Sequence, residues 1–409
     1  MDWDMMVLKI GSGKIMKQAP WQKWPTSWNI SLTERVAPWL EDWHPAYLST
    51  QANASDNPTW QEAMEGDDKE GYWEAAETEI KTLTKKDCWD VVDRQPWMNI
   101  LPSTWAFKCK RHPDGRIKKL KARFCARGDR QIEGIDVFDT FAPVTNWNTV
   151  RLMLILSSIL ELKSKQVDYT AAFIHAPVEE DVYVQMPRGF VEPGKVLKLK
   201  KSLYGLKQSP RNFFKHISSK LEDAGLKAQT EVDPCLFISD KVICVLYVDD
   251  TLFWSPKAEY IEEVVSKLRS DSELELEEEP VENRVSGFLG VDIYRAPDNS
   301  YIKLTQKGLT KRIVEALNIE SLPVKHTPAQ VTPLTADLDG DPPDGRYNYA
   351  SVVGMLQYLH SHSRPDITYA VSQVARFTHS PKRSHEIALE HIGQYLKGTM
   401  DEGLILTPD

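Results

Sequence analysis

Residues 242–255, Val-Ile-Cys-Val-Leu-Tyr-Val-Asp-Asp-Thr-Leu-Phe-Trp-Ser, restrict the fold more than any other stretch of the chain. The seven apolar residues from Val242 to Val248, rich in β-branched side chains, read as a strand covered on both faces. Thr251 to Trp254 reads as the returning strand, giving a tight hairpin with Asp249 and Asp250 at its tip. Two ionised carboxylates so close repel each other, and burying them is costly unless positive charge compensates. A hard divalent cation with oxygen ligands is the usual remedy. The plainer reading is an Asp-rich turn, since Asp is common in turns. The rest of the sequence decides between them.

At 409 residues the chain exceeds one ordinary core, so two or three lobes are expected. Cys88, Cys109, Cys125, Cys235 and Cys244 show no C-x-x-C spacing, which suits reduced thiols in an intracellular compartment. No secretory signal stands at the N-terminus, and the longest apolar helical stretch, 152–160, falls far short of a membrane span. No membrane partner is expected.

The net charge of −9 is unusual for a protein that handles nucleic acid, but the charge is polarised. Residues 108–130 carry ten Lys or Arg against Asp114 and Asp129, whereas 271–282 carry seven acids and no base. The basic segment is the place for a phosphate-bearing partner, unless it is only a solvated face. It reads as a hairpin: Trp105-Ala-Phe-Lys-Cys-Lys alternates, Pro113-Asp-Gly115 turns, and 117–126 returns. Alternation throws one set of cations onto one face.

Elsewhere, helices are expected over 73–87, 149–162, from Arg211 through Leu221, 258–269 and 309–317. Strands are expected at 166–169, with Asp168 near the end, at the acidic stretch 273–277, and at 288–294. Gly11-Ser-Gly-Lys14 is not a phosphate loop, because Leu8 and Ile15 occupy positions that need Gly and Ser or Thr. His360-x-His362 and His385-Glu386 lack the spacing of a zinc site. Five prolines among polar residues mark 320–347 as a linker.

Five blocks in fixed order carry a family resemblance: Lys121-Ala-Arg-Phe-Cys-Ala-Arg-Gly128, Phe138-Asp-Thr-Phe-Ala-Pro-Val144, Val167-Asp-Tyr-Thr-Ala-Ala-Phe173, Ser202-Leu-Tyr-Gly-Leu-Lys-Gln-Ser-Pro-Arg211 and Tyr247-Val-Asp-Asp250. Phe288-Leu-Gly-Val, Ser363-Arg-Pro-Asp-Ile-Thr-Tyr-Ala-Val and Tyr395-Leu-Lys-Gly-Thr399 agree with them. Together they resemble the reverse transcriptase of copia-type retrotransposons, over about residues 70–400. The resemblance displaces the plain-turn reading of Asp249-Asp250.

The resemblance implies an α/β (α+β) right-hand polymerase fold of fingers, palm and thumb. The palm would be an antiparallel sheet backed by helices, followed by a helical connection-like lobe. It implies RNA-directed DNA polymerase activity, adding deoxynucleotides to a primer 3′ end on an RNA or DNA template. Asp168, Asp249 and Asp250 resemble the catalytic, metal-holding carboxylates, served by two Mg²⁺ ions that Mn²⁺ can replace. Tyr247 resembles the primer-contacting residue. Phe173 resembles the aromatic gate under the incoming sugar. Lys121, Arg123 and Arg127 resemble triphosphate-gripping residues, and Tyr204, Gly205, Lys207 and Gln208 the loop that supports the nucleotide.

The chain departs from the family at Ile174-His175-Ala176, where Leu-Asn-Gly is usual. The expected layout is a poorly ordered extension at 1–70, the polymerase lobes at 71–320, a Pro-rich linker at 321–347, and a helical connection-like segment at 348–409 preceding an absent ribonuclease H domain. Ribonuclease H and integrase domains of the same polyprotein would be partners, in cytoplasmic virus-like particles and the nucleus. The sequence leaves the oligomeric state open. It also leaves open a catalytically inactive remnant that binds nucleic acid, and an unrelated carboxylate metalloenzyme such as a nuclease.

Overall fold

The computed structural model describes residues 56–111, 116–270, 274, 276–278 and 287–407. Of the expected 1–70 extension, residues up to 55 lie outside the described residues, as do the Pro113-Asp-Gly115 turn and residues 273 and 275 of the expected 273–277 strand. Helices and mostly antiparallel strands give a mixed α/β fold of the expected class. Breaks at 149/150, 163/164 and 281/282 divide the chain into two compact units.

The first unit opens with helices α1 (Trp60–Glu65) and α2 (Lys69–Lys85). Thr59 and Glu62 close a capping box on α1. Strands β1 (Trp89–Asp93) and β2 (Ile100–Leu101) precede a long hairpin, β3 (Ser103–Arg111) with β4 (Ile117–Ala126). Its alternation separates two faces. Trp105, Phe107, Ala122 and Phe124 join Tyr72 and Leu83 of α2 in one core. Lys108, Lys110, Lys119 and Arg123 are exposed on the other face, with Lys121 half-buried beside them.

Helix α3 (Trp147–Ile159) runs from the first unit into the second, and β5 (Lys163–Tyr169) returns to the first. Strands β6 (Tyr183–Gln185) and β7 (Lys195–Leu199) form a sheet in the order β1-β7-β6-β2. Next come helix α4 (Ser209–Asp223), strands β8 (Lys227–Gln229), β9 (Asp233–Ile238), β10 (Ile243–Tyr247) and β11 (Asp250–Ser255), helix α5 (Ala258–Ser270) and strand β12 (Leu276–Glu278). They build a six-stranded sheet, β12-β5-β11-β10-β9-β8.

Phe213, Ile217 and Leu221 of α4 and Ile261, Val265 and Leu268 of α5 pack on Val167, Tyr169, Cys244, Leu246 and Phe253. Each fully buried side chain of this size contributes about 1.5–3 kcal/mol. The alternate residues Ile243, Val245, Leu252 and Trp254 are buried too, so the central strands are covered on both faces, as continuous apolarity implied. Lys165 is buried on β5 and pairs with Glu262 of α5 at 2.7 Å.

The second unit contains β13 (Gly287–Phe288), β14 (Val291–Arg295), β15 (Ile302–Thr305), α6 (Lys307–Ala316), α7 (Tyr349–His362), α8 (Thr368–Ala375), α9 (Arg383–Gly398) and β16 (Leu404–Leu406). The single strand expected over 288–294 is instead a hairpin. Leu289 and Gly290, at φ 51° and 72°, turn the chain between β13 and β14.

The proline-rich stretch lies within this second unit, laid along α9. Lys325 N donates to Gln394 O, His391 Nε2 to Thr327 O, and His385 Nε2 to Thr335 O. Asp344 N donates to Glu386, and Arg346 pairs with Glu390. His385 is buried and stacks on Phe377, while His362 Nδ1 lies 2.6 Å from Tyr358 O. Both histidines thus serve the packing of this unit. Among the described residues, no helix is long and apolar enough to cross a membrane.

Candidate active site

The Asp pair sits on a two-residue hairpin loop. Tyr247 and Asp250 are cross-strand partners, leaving Val248 and Asp249 as the turn. Val248 adopts φ 51°, unusual for a β-branched residue. A positive φ at the first loop residue is what a type II′ hairpin uses, normally with Gly there. Such strain costs on the order of 1–3 kcal/mol and persists only where neighbours over-determine it. Here the flanking buried strands do so, and Tyr169 N donates to Asp249 O at 3.1 Å.

That bond ties the turn to the end of β5, the neighbour of β11, one residue beyond Asp168. Alternation then sorts the side chains. Val167 and Tyr169 point into the helix-backed core, and Thr251 Oγ1 donates to Tyr169 OH on that side. Gln166, Asp168 and Asp250 take the opposite face, where Gln166 Nε2 lies 3.4 Å from Asp250 Oδ1. Tyr247, paired with Asp250, shares it.

The three carboxylates feel one another. Burial pushes the Asp250 carboxyl up to about 6, the charges of Asp249 and Asp168 add to the rise, and the Gln166 hydrogen bond opposes it. The Tyr247 phenol is raised by burial and then by Asp249 and Asp250. This is a site with surplus negative charge.

Positive charge stands nearby. The Arg123 guanidinium lies over the Tyr204 ring, Cζ 4.6 Å from the centroid. The Tyr204 phenol is pushed up to about 12, chiefly by burial, with Arg123 opposing and Asp249 reinforcing. Phe173, half-buried, meets Tyr204 edge-on at 4.9 Å between centroids. A cleft of about 530 Å³ is lined by Glu79, Lys121, Arg123, Thr170, Ala171 and Tyr204. Lys108 faces Lys121, and Lys110 faces Lys119, directly across the β3–β4 ladder. Like charges set opposite each other are destabilising in the free protein.

The other expected nucleotide-loop residues divide. Gly205, at φ 91°, has no room for a side chain, since a Cβ would lie 2.1 Å from Ala126 O. Ala126 N donates to Tyr204 O at 2.8 Å, so this loop is locked to the end of β4. Lys207 is exposed. Gln208 is fully buried: its amide donates to Asp136 O at 2.8 Å and its oxygen accepts from Gln131 at 2.9 Å. It braces the loop from inside. Arg127 is exposed and makes a two-pronged pair with Asp129.

Two site residues escaped the sequence reading. Gln166 was legible, being two positions before Asp168 on the same strand face. Glu79 was not, because only the fold carries α2 to the edge of β4. Its carboxylate accepts from Phe124 N at 3.3 Å. Burial raises its pKa against that hydrogen bond and the charges of Arg123 and Lys121.

A family model described as reverse transcriptase (RNA-dependent DNA polymerase) matches residues 86–331. The chain belongs to the reverse transcriptase family. As the motif blocks implied, its relatives are transposon polyproteins of the copia type. It is 30% identical over 363 residues to the retrovirus-related Pol polyprotein from transposon TNT 1-94 of Nicotiana tabacum, covering 84% of this chain and 26% of that protein. It is 30% identical to the corresponding RE1 polyprotein of Arabidopsis thaliana, covering 83% of this chain and 23% of that one. The truncated Ty1-A Gag-Pol polyprotein of Saccharomyces cerevisiae is 28% identical, covering 83% and 29%. The chain thus spans about a quarter of the length of these curated relatives. Among solved structures, it is similar to a foamy viral protease-reverse transcriptase in complex with double-stranded DNA, with TM-score 0.45 and 13% identity, covering 81% of this chain and 48% of that one.

Reverse transcriptases in general use divalent metal ions. Among the described residues, no three His, Cys, Asp or Glu side chains are gathered closely enough to enclose an ion by themselves. Mg²⁺ needs no such cluster, because it is commonly held by one or two carboxylates, several waters and substrate phosphates. The donor chemistry fits as well: the oxygens are hard ligands, and the raised Asp250 marks charge that a cation would neutralise.

Proposed function

We propose that this chain is the polymerase region of a retrotransposon Pol polyprotein, an RNA-directed DNA polymerase. It would add deoxynucleoside triphosphates to a primer 3′ end on an RNA or DNA template. The observation that carries this reading is the sharing of one sheet face by Asp168 and Asp250, with Asp249 on the adjoining turn and Asp250 raised to about 6 by burial and then by the charges of Asp249 and Asp168. No side chain there is an activated nucleophile, and phosphoryl transfer needs none.

Asp168, Asp249 and Asp250 would hold two Mg²⁺ ions, with Mn²⁺ an acceptable substitute. Bound metal supplies the charge that activates the primer hydroxyl and stabilises the leaving pyrophosphate. The chain's own residues do the rest. Gln166 orients Asp250. Arg123, and Lys121 on the same face of β4, offer donors to the triphosphate, with Arg123 steadied by Tyr204. Phe173 backs the sugar, and Tyr247 stands beside the primer end. The fingers are then the β3–β4 hairpin and the palm the six-stranded sheet. Nucleic acid would be gripped through phosphates and sugars, because a polymerase must accept any sequence.

Ribonuclease H and integrase segments of the same polyprotein are the natural partners. An intracellular setting, in cytoplasmic particles and the nucleus, agrees with five cysteines that form no disulfide. Extension of a DNA primer on an RNA template tests the reading. A well-folded chain that fails to extend it with either metal is instead a remnant.

A further inference from the structure

The turn between Asp168 and Phe173 holds a side chain that the proposed chemistry leaves unused. Residues Ala172–His175 form one turn of 3-10 helix, entered through Ala171 at φ 52°. His175, its last residue, is 1% exposed. Its Nε2 lies 3.0 Å from the Thr170 carbonyl oxygen. A carbonyl only accepts, so Nε2 carries the proton and Nδ1 is bare. Nδ1 is buried without a hydrogen-bond partner. Burial lowers the imidazole's pKa first, the Thr170 bond opposes that, and the charges of Lys86, His216 and Lys201 add to the lowering.

The tether spans a short and particular stretch. Thr170 is two residues past Asp168, and His175 is two past Phe173. The main chain alone closes this turn with two hydrogen bonds, Ile174 N to Ala171 O and Ala176 N to Phe173 O, both 3.1 Å. The left-handed Ala171 works against the turn, since a non-Gly residue there costs free energy. His175 adds a third bond, from the side chain, in a pocket closed to water. Phe173 projects from the middle of the tethered stretch toward Tyr204 at 4.9 Å and Phe213 at 6.3 Å.

We propose that His175 is a positioning residue for sugar selection: its Nε2–H bond to Thr170 fixes the turn that presents Phe173 to the incoming nucleotide. The proposal rests on the reading of Phe173 as the aromatic that backs the sugar. It assigns His175 no contact with substrate. It acts through the turn alone.

Primer extension with deoxy- and ribonucleoside triphosphates tests it. The readout is the ratio of kcat/KM values for wild type, His175→Leu, His175→Gln, Phe173→Ala and the Phe173→Ala/His175→Leu double variant, each checked for a folded-state melting transition. His175→Leu should lower the deoxy-over-ribo preference about tenfold, short of the roughly hundredfold that a full ångström of misplacement can cost. His175→Gln, which keeps a donor, should restore much of it. In the Phe173→Ala background, His175→Leu should lower the preference no further, since both act through one group.

If His175→Leu lowers both kcat/KM values equally and leaves their ratio at the wild-type value, the residue is merely structural and the proposal is overturned. A further loss in the double variant overturns it as well. If Phe173→Ala itself leaves the ratio unchanged, the reading of Phe173 fails first, and that failure is visible separately. Should His175→Leu not fold, the ratio measured on His175→Gln decides: recovery below one half of wild-type preference contradicts a donor role that Gln retains.

Discussion

Arg123 lies over the ring of Tyr204, its guanidinium carbon 4.6 Å from the centroid. This contact joins the basic hairpin to the loop beside the carboxylates, and Phe173 meets the Tyr204 ring edge-on at 4.9 Å. In the proposed site the acidic hairpin would hold the metals and the charge for a triphosphate would come from β4, more than a hundred residues upstream.

The stack sets an expectation for Arg123→Lys. Charge is retained, but the planar face and paired donors are lost. A stacked cation is worth about 1 kcal/mol, so KM for deoxynucleotides should rise roughly fivefold with a smaller change in kcat. Steady-state extension kinetics check this. An unchanged KM would mean that the stack does not shape the nucleotide site.

Asp250 predicts a pH signature in metal-free protein. Its folded pKa, about 6, lies above the ordinary 3.8. The folded state therefore binds more protons than the unfolded state between those values. The stability associated with Asp250 is present below about pH 4 and lost as pH rises through 6. Asp250→Asn, which mimics the protonated form, should raise Tm at pH 7 in the presence of a chelator, and the gain should vanish toward pH 4. Mg²⁺ should raise the wild-type Tm at pH 7 more than that of the variant. Thermal melts across pH read both effects, and a variant that is less stable at pH 7 contradicts them.

Lys108 and Lys121 set two like charges directly opposite each other across the β3–β4 ladder. Lys108→Glu replaces a repulsive cross-strand pair with an attractive one, worth about 0.2–1 kcal/mol in stability. The same change should weaken primer–template binding and make its log K against log salt slope shallower by about one unit. Denaturant titration and binding at several salt concentrations would show opposite signs. Matching signs would place nucleic acid elsewhere.

Gly205→Ala should be structural in origin. Its φ of 91° disfavours any side chain, and the added methyl would meet the Ala126 carbonyl. A loss of at least about 1–3 kcal/mol is expected from urea unfolding, with activity falling in step. Wild-type stability in this variant would mean that the loop is free of β4.

Much of this was legible in the residues. The run at 242–248, the alternation of 105–110 and the apolar stripes of the helices reported their elements directly, because burial imposes period two or 3.6. What failed had no period to read. Leu289-Gly290 breaks an apparent strand by a turn that costs only two positive φ angles. Prolines at 323–343 say that no helix or strand forms there, but not that the segment stays free, and it is pinned along α9 instead. Gln208 looked like a ligand residue within its motif, yet loops carry no face pattern, and the fold turns its amide inward to Asp136 and Gln131.

Extension of an annealed DNA primer on an RNA template, comparing wild type with Asp249→Asn, tests the carboxylate site most directly. With deoxynucleotides and Mg²⁺ or Mn²⁺, the wild type should extend the primer, and Asp249→Asn should bind the primer–template yet extend it at least about a hundredfold more slowly. Extension by Asp249→Asn at the wild-type rate would contradict the assignment of Asp168, Asp249 and Asp250 as the catalytic centre.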